Sequence, residues 1–380
     1  MERKLHILSW ILVAALVLPL FQQLTDIPHK RKLRGYAVIA EVPEFSWKDW
    51  FDGSFQPKAE KALNDRFGFR RTFVMVNNQV AFSLYGKVSI AGLVVGKENY
   101  FYEKNYIKAY YGSDYRGDSI WQDKARKLKV IQDSLAARGT QLLVTIAAGK
   151  GSFYPEYFPD SYLAERGLTE RGPTNGGKMG EFFTEEGVNL LDFNTWFVQM
   201  KDTSRYCLYP RTGIHWSVYG MALAADSLIR RSEELTGMEI APFEWSDVEV
   251  TNKYRSSDRD IEDGLNLIFR VNRDPMAYPD IQFPEGANDS VKAIIIGDSF
   301  FWGMYNMSII DKAFHESEFW YYYKRSYAKH FDEFIEFADV EVDKLAKFEE
   351  ADIIILMTTE ATHILFPWGF ADEAYTLLTE

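Results

Sequence analysis

The chain has 380 residues, 43 Lys and Arg against 55 Asp and Glu, a net charge of −12 at pH 7 and a hydrophobic share of 47%. That balance argues against nucleic acid or an anionic membrane surface as the main partner, since both reward a basic face, and it gives a polyanionic glycan no bulk attraction. The single cysteine, Cys207, excludes an intrachain disulfide and Cys-rich metal sites, and no metal or cofactor is expected.

The first predicted element is the apolar run Leu5–Phe21, preceded by Arg3 and Lys4. Its length is near the lower limit of about 17 residues for a spanning helix. No small-x-small cleavage site precedes Gln22-Gln23, so the run reads as an uncleaved signal anchor. Lys30, Arg31, Lys32 and Arg34 follow closely, and on charge alone they place the body in the cytoplasm. The expected plan is an anchor and basic flank over 1–35, a region packed on the body over 36–115, and an α/β domain over 116–380. Helical periodicity marks Arg70–Tyr85, and Gly112–Gly117 marks the soft boundary.

Within the body, Asp123–Arg138 reads as an amphipathic helix and Gln141–Ala147 as a buried strand. Gly167–Gly180, rich in Gly, Thr and Pro, is expected to be a mobile loop over the cleft. Val188–Phe193 is a second strand, and Ser217–Leu235 a long helix with Ser217 as its N-cap. Ala293–Ile296 is a third strand, with a helix predicted over Phe300–Ile310. Phe319–Tyr323 is a strand, Val340–Glu350 a helix and Asp352–Thr358 a final buried strand. Alternating helices and apolar strands imply a mostly parallel sheet covered on both faces. Most of the 22 Tyr and 28 Phe are expected to serve packing, and a sugar-contacting cleft is the other use of such a composition.

Chemistry concentrates in two blocks. In Lys292-Ala-Ile-Ile-Ile-Gly-Asp-Ser-Phe-Phe301 the β-branched run stops at a turn that would present Ser299 at a strand's carboxyl end, where α/β sheets keep their chemistry. A serine so placed serves as a nucleophile, its own amide contributing to an oxyanion hole. The second block is Tyr209-Pro-Arg-Thr-Gly-Ile-His-Trp-Ser217. Of six histidines, His6 lies in the apolar segment, His29 in the basic flank, and His315 and His330 in charged surroundings. His215 is left as the favoured base for Ser299 and His363 as the alternative. Asp298 is expected to shape the turn, and Asp192 and Glu360 are candidate acids to orient the histidine.

These blocks, in this order, resemble the AlgX/AlgJ-like branch of the SGNH hydrolases, periplasmic O-acetyltransferases of exported polysaccharides. The resemblance extends to Trp50–Gln56, Asp65-Arg-Phe-Gly-Phe-Arg70, Val95-Gly-Lys-Glu-Asn-Tyr-Phe-Tyr102 and Lys150-Gly-Ser-Phe-Tyr-Pro-Glu156. It implies an SGNH-hydrolase-like three-layer α/β/α sandwich with an N-terminal membrane anchor, of the shorter AlgJ-like type. It also implies a Ser299–His215 mechanism without a cofactor, a periplasmic body held at the inner membrane, and acetyl groups relayed by a multipass membrane O-acyltransferase. The family position overrides the cytoplasmic reading of the basic flank. Tyr305 matches a position associated with substrate contact, and Lys150 and Arg325 are further candidates for contact with donor or sugar. One departure stands out: the family's aspartate two residues before the histidine is Gly213 here. That departure keeps open a catalytically silent scaffold that binds glycan or the membrane partner, and a lipase-like envelope esterase is a third reading.

Overall fold

The computed structural model describes residues 2–380 apart from 30, 31, 36–38, 242, 272, 285–288 and 330–332. Lys30 and Arg31 of the basic flank, and His330, lie outside the described residues. Contacts divide the chain into two units, Met1–Ala91 with Asp260–Val271, and Gly92–Arg259 with Asn272–Glu380. The division falls upstream of the expected 115–116 boundary. The reason is local: Phe101, Tyr102, Tyr106 and Ile107 are buried with the second unit's own residues.

In the first unit, helix α1 (Glu2–Thr25) contains Arg3–Thr25, which is long and apolar enough to cross a membrane, with a mean hydropathy of 2.0. Leu5, Leu8, Trp10 and Leu12 are exposed, which does not fit a buried core helix. Helices α2 (Phe55–Arg66) and α3 (Arg70–Tyr85) follow, α3 with the bounds its periodicity predicts. The Asp65–Arg70 block is the joint between them. The Asp65 carboxylate accepts the Ala40 amide at 2.9 Å and the Arg70 guanidinium at 3.0 Å. Asn78 of α3 donates to the Leu265 carbonyl at 2.8 Å, which ties in the Asp260–Val271 segment.

The second unit opens with a hairpin of β1 (Leu93–Val95) and β2 (Phe101–Glu103). Its main sheet uses β3 (Gln141–Ile146) and β4 (Leu190–Asp192), then β7 (Lys292–Gly297) and β8 (Glu316–Tyr321), β9 (Arg325–Tyr327), β10 (Ile335–Glu336) and β11 (Ile353–Thr358). The order is β10-β9-β8-β7-β11-β3-β4. Strands β8, β7, β11, β3 and β4 pair in parallel, and β9 and β10 extend one edge antiparallel. A separate antiparallel pair joins β5 (Glu244–Thr251) to β6 (Met276–Gln282).

Alternation along the strands feeds two layers of helices. Leu142, Val144, Ile294, Ile296, Ile354 and Leu356 pack with α4 (Asp118–Ala136), α5 (Asn175–Glu185) and, later in the chain, α8 (Lys344–Glu350) and α9 (Phe370–Thr379). The opposite face meets α6 (Phe193–Met200) and α7 (Val218–Thr236). Ile295 and Ile355 are fully buried, each burial stabilising by about 1.5–3 kcal/mol. This is the expected three-layer α/β/α sandwich. It places the carboxyl ends of β7 and β11 side by side, since Ile296 pairs with Leu356 and Gly297 with Met357.

Two local expectations are corrected. Gly167–Gly180 is not all loop, because α5 begins at Asn175, capped by Thr174 accepting from the Gly177 amide at 3.1 Å. Gly176 is small for a reason: a Cβ there would come within 2.8 Å of the His363 ring. Phe300–Ile310 is broken into a tight turn over Ser299–Phe301 and two short helices, Trp302–Asn306 and Ile309–Ala313, because Ser308 takes φ 55°. Strands β5 and β6 were not foreseen. β5 alternates weakly and is mostly exposed, so its side chains carry little hydrophobic signal.

Candidate active site

Strand β7 carries the nucleophile block. Its last residue, Gly297, is buried between β11 and β8, and the chain turns at Asp298. The Asp298 carboxylate is shared between that turn and the residues that follow β11. One oxygen accepts the Phe300 amide at 3.0 Å; the other accepts the Thr359 amide and hydroxyl, both at 2.8 Å, and the Thr362 hydroxyl at 2.6 Å. A buried carboxylate with four donors is well satisfied. It fixes Ser299 to the carboxyl end of β11 as well as to β7.

The histidine block arrives from the other side. His215 Nε2 lies 3.0 Å from Ser299 Oγ, and both residues are partly exposed while Trp216 and Phe300 are buried. The rings dock the two blocks: His215 lies 4.7 Å from Phe300 centroid to centroid, and Trp216 lies 5.3 Å from Phe300. Ser217 then caps α7, accepting the Gly220 amide at 2.9 Å while its hydroxyl donates to the Cys207 carbonyl at 2.8 Å. The histidine is thus held at a helix N-terminus in a stiff loop.

Lys150 supports that loop from beneath. It is fully buried, and its ammonium donates to the carbonyls of Arg211 at 2.8 Å and Gly213 at 2.6 Å. Its charge also lies over the Tyr102 and Tyr100 rings, at 5.5 and 5.8 Å. Tyr100 stacks on Tyr157 at 3.8 Å, and the Tyr102 hydroxyl donates to the Tyr154 carbonyl at 2.6 Å. The Val95–Tyr102 and Lys150–Glu156 blocks therefore converge on the backbone that carries His215. Lys150 is a brace, which corrects its expected place as a donor or sugar contact.

The carboxylates expected to orient the histidine are occupied elsewhere. Asp192 caps α6, accepting the Thr195 amide at 2.9 Å and its hydroxyl at 2.6 Å. Glu360 accepts the amides of Gly151 and Ser152 at 2.7 and 3.1 Å and the Ser152 hydroxyl at 2.5 Å. Burial pushes the Glu360 carboxyl up to about 7 against the pull of those donors. His363 is buried too, and burial first, then Lys124, lowers it to about 3, so it is neutral. Asp192, Glu360 and His363 line one polar cavity of about 130 Å³ with Ser152, Arg171 and Asn194; neither Ser299 nor His215 is among its walls.

Tyr305 packs edge-on to Trp302 at 5.4 Å, and Lys329 lies over its ring at 5.1 Å. Arg325 is committed to Glu336 across β9 and β10. An aromatic group that went unnoticed in the sequence flanks the serine turn. Trp302 packs against Tyr321 at 5.5 Å, Tyr321 pairs with Gly297 in register, and Tyr322 rests on Tyr321 at 4.3 Å. All three are partly exposed. No group of three or more His, Cys, Asp or Glu side chains suited to a metal ion occurs among the described residues.

Residues 93–254 match the family model described as the SGNH hydrolase-like domain of the acetyltransferase AlgX. The resemblance read from the motifs is the one this match returns. The matched stretch contains His215 and ends before Ser299. A comparison with curated protein sequences finds no match. Among solved structures, the chain is similar to the O-acetyltransferase domain of Pseudomonas putida AlgJ, at 14% identity and TM-score 0.46, covering 75% of this chain and 99% of that one. It is similar to Pseudomonas aeruginosa AlgX at 13% identity and TM-score 0.46, covering 75% of this chain and 66% of that one. For Bacillus cereus PatB1 the values are 9% and 0.40, covering 65% and 92%.

Proposed function

We propose that the chain is an O-acetyltransferase, or an acetylesterase when water is the acceptor, acting on an exported polysaccharide through Ser299 and His215. The observation that carries this reading is the 3.0 Å contact between His215 Nε2 and Ser299 Oγ at the carboxyl end of β7. Ser299 Oγ attacks the acetyl carbonyl while neutral His215 takes its proton; the proton then returns to the leaving oxygen and an acetyl-serine ester remains. An acceptor hydroxyl, or water, repeats the sequence in reverse. The Ser299 amide faces the developing oxyanion in this scheme.

The aromatic group of Trp302, Tyr321 and Tyr322 beside the turn supports a sugar acceptor, since ring faces pack on pyranose C–H surfaces. In this reading α1 anchors the body at the periplasmic face of the inner membrane, and a multipass membrane O-acyltransferase supplies the acetyl group. Gly213 favours a second reading, a silent scaffold of the same fold that binds glycan or that membrane partner.

Hydrolysis of a chromogenic acetyl ester by the purified full chain separates the two. The enzyme reading expects turnover that Ser299→Ala abolishes without changing the melting temperature. No turnover by the wild type, or equal turnover by the variant, contradicts it.

A further inference from the structure

A catalytic imidazole needs an acid that holds it in the correct tautomer, and the backbone around Gly213 shows why position 213 does not supply it. A Cβ built on Gly213 would come within 2.7 Å of the Ser257 carbonyl and 3.1 Å of the Asp258 carbonyl. The tight turn Ser256–Arg259 therefore fills the space a side chain at position 213 would need. An aspartate there would collide with backbone, which cannot move aside as a flexible side chain can. The glycine belongs to this arrangement, and the turn that displaces the side chain brings its own acid.

That acid is Asp258, fully buried within the same compact unit as His215 and Ser299. The turn packs against α7, the helix whose N-cap follows His215 by two residues. Asp258's neighbours register its charge. Burial chiefly, and Asp258 next, raises the pKa of Tyr278, while Tyr254 and the Cys207 thiol are raised by burial, Asp274 and then Asp258. A carboxylate is rarely buried without a positive or hydrogen-bonding partner to justify the desolvation.

We propose that Asp258 is the positioning residue of His215, taking from the Ser256–Arg259 turn the role that the related pattern gives to an aspartate at position 213. The assignment rests on the Ser299–His215 reading. Asp258 orients the ring so that Nε2 faces Ser299 Oγ, and it stabilises the imidazolium formed when the hydroxyl proton is taken. It touches neither acetyl group nor acceptor.

The test uses the full chain in detergent micelles. With a chromogenic acetyl ester, Asp258→Asn should lower kcat on the order of 10³- to 10⁴-fold, with KM nearly unchanged, and Asp258→Glu should recover part of the loss. Independently of turnover, histidine labelled at Cε1 is titrated by NMR in a Ser299→Ala background, and the His215 signal is identified by its loss in His215→Gln. Asp258→Asn should lower the His215 pKa by about one unit or more. A wild type without turnover would sink the enzyme reading while the titration still tests the positioning. An unchanged His215 titration overturns the proposal, as does a large loss in Asp260→Asn with Asp258→Asn near wild type. Should Asp258→Asn not fold, Asp258→Glu carries the test, because the displaced charge must change both kcat and the His215 titration; no change in either overturns the assignment.

Discussion

Two clusters near the ends of the central strands each contain a histidine and carboxylates, and they differ in what burial has done to them. At the β7 turn, His215 and Ser299 are partly exposed and face each other at 3.0 Å, while the buried carboxylate beside them, Asp298, is saturated by four donors. In the cavity of Asp192, Glu360 and His363, the histidine is only 2% exposed, and burial strips its charge. The lesson is that proximity of acids and histidines does not make a proton relay. A base needs a reachable hydroxyl on one side and solvent or substrate on the other, and only the first cluster offers both.

The largest effect that could break this contrast is a swap of the two histidines. His215→Ala should reduce ester turnover by at least about 10³-fold, whereas His363→Ala should keep most activity and lose stability, since it empties a packed site. Steady-state kinetics with parallel thermal melts decide it. A live His215→Ala and a dead His363→Ala would transfer catalysis to the cavity and make Glu360 the natural acid.

A smaller loss is expected from the brace. Lys150→Met removes two hydrogen bonds to the carbonyls of Arg211 and Gly213. The freed loop should misplace His215 and cost about 10²-fold in kcat. Unaltered kcat in this variant would mean that the ring stack around Tyr100 and Tyr102 holds the loop unaided.

The smallest effects concern pH and sharpen the cavity half of the comparison. The folded pKa of Glu360, about 7, lies above its ordinary 4.5, so its contribution to stability is present at low pH and fades as pH rises from 4.5 through 7. His363, lowered from 6.5 to about 3, acts in the opposite sense, because the unfolded chain takes up a proton that the folded one refuses. Stability due to His363 is present above 6.5 and is lost as pH falls toward 3. Between 4.5 and 6.5 the two slopes oppose each other. Glu360→Gln should therefore make the acid-side loss of stability steeper by a few kcal/mol, as read from denaturant melts at pH 5 and 7. Identical pH dependence in variant and wild type would show that Glu360 does not change its proton binding on folding.

Much of this was legible in the chain because the relevant signals are local. The runs Gln141–Ala147, Ala293–Ile296 and Asp352–Thr358 are short, apolar and β-branched, and each became a central parallel strand. A Gly-Asp-Ser step at the end of such a run put Ser299 at a carboxyl edge, and the scarcity of histidines pointed to His215. What stayed hidden depends on the partners of long polar side chains. Nothing in Ala148-Gly149-Lys150 says that the lysine is buried under the histidine loop, because the carbonyls it serves lie at Arg211 and Gly213. Asp192 and Glu360 followed strand ends as an orienting acid should, yet both spend their oxygens on nearby donors. The exposed ribbon of β5 and β6 lacks the apolar weight that marks a strand.

The central claim is that Ser299 is an activated nucleophile. Incubating the full chain with a sulfonyl fluoride, digesting it and mapping the adduct by mass spectrometry tests this without presuming acceptor or donor. The account predicts one modified serine, Ser299, with labelling that falls away in His215→Ala and persists in His363→Ala. An unlabelled Ser299 in folded protein, or labelling indifferent to His215, would contradict it.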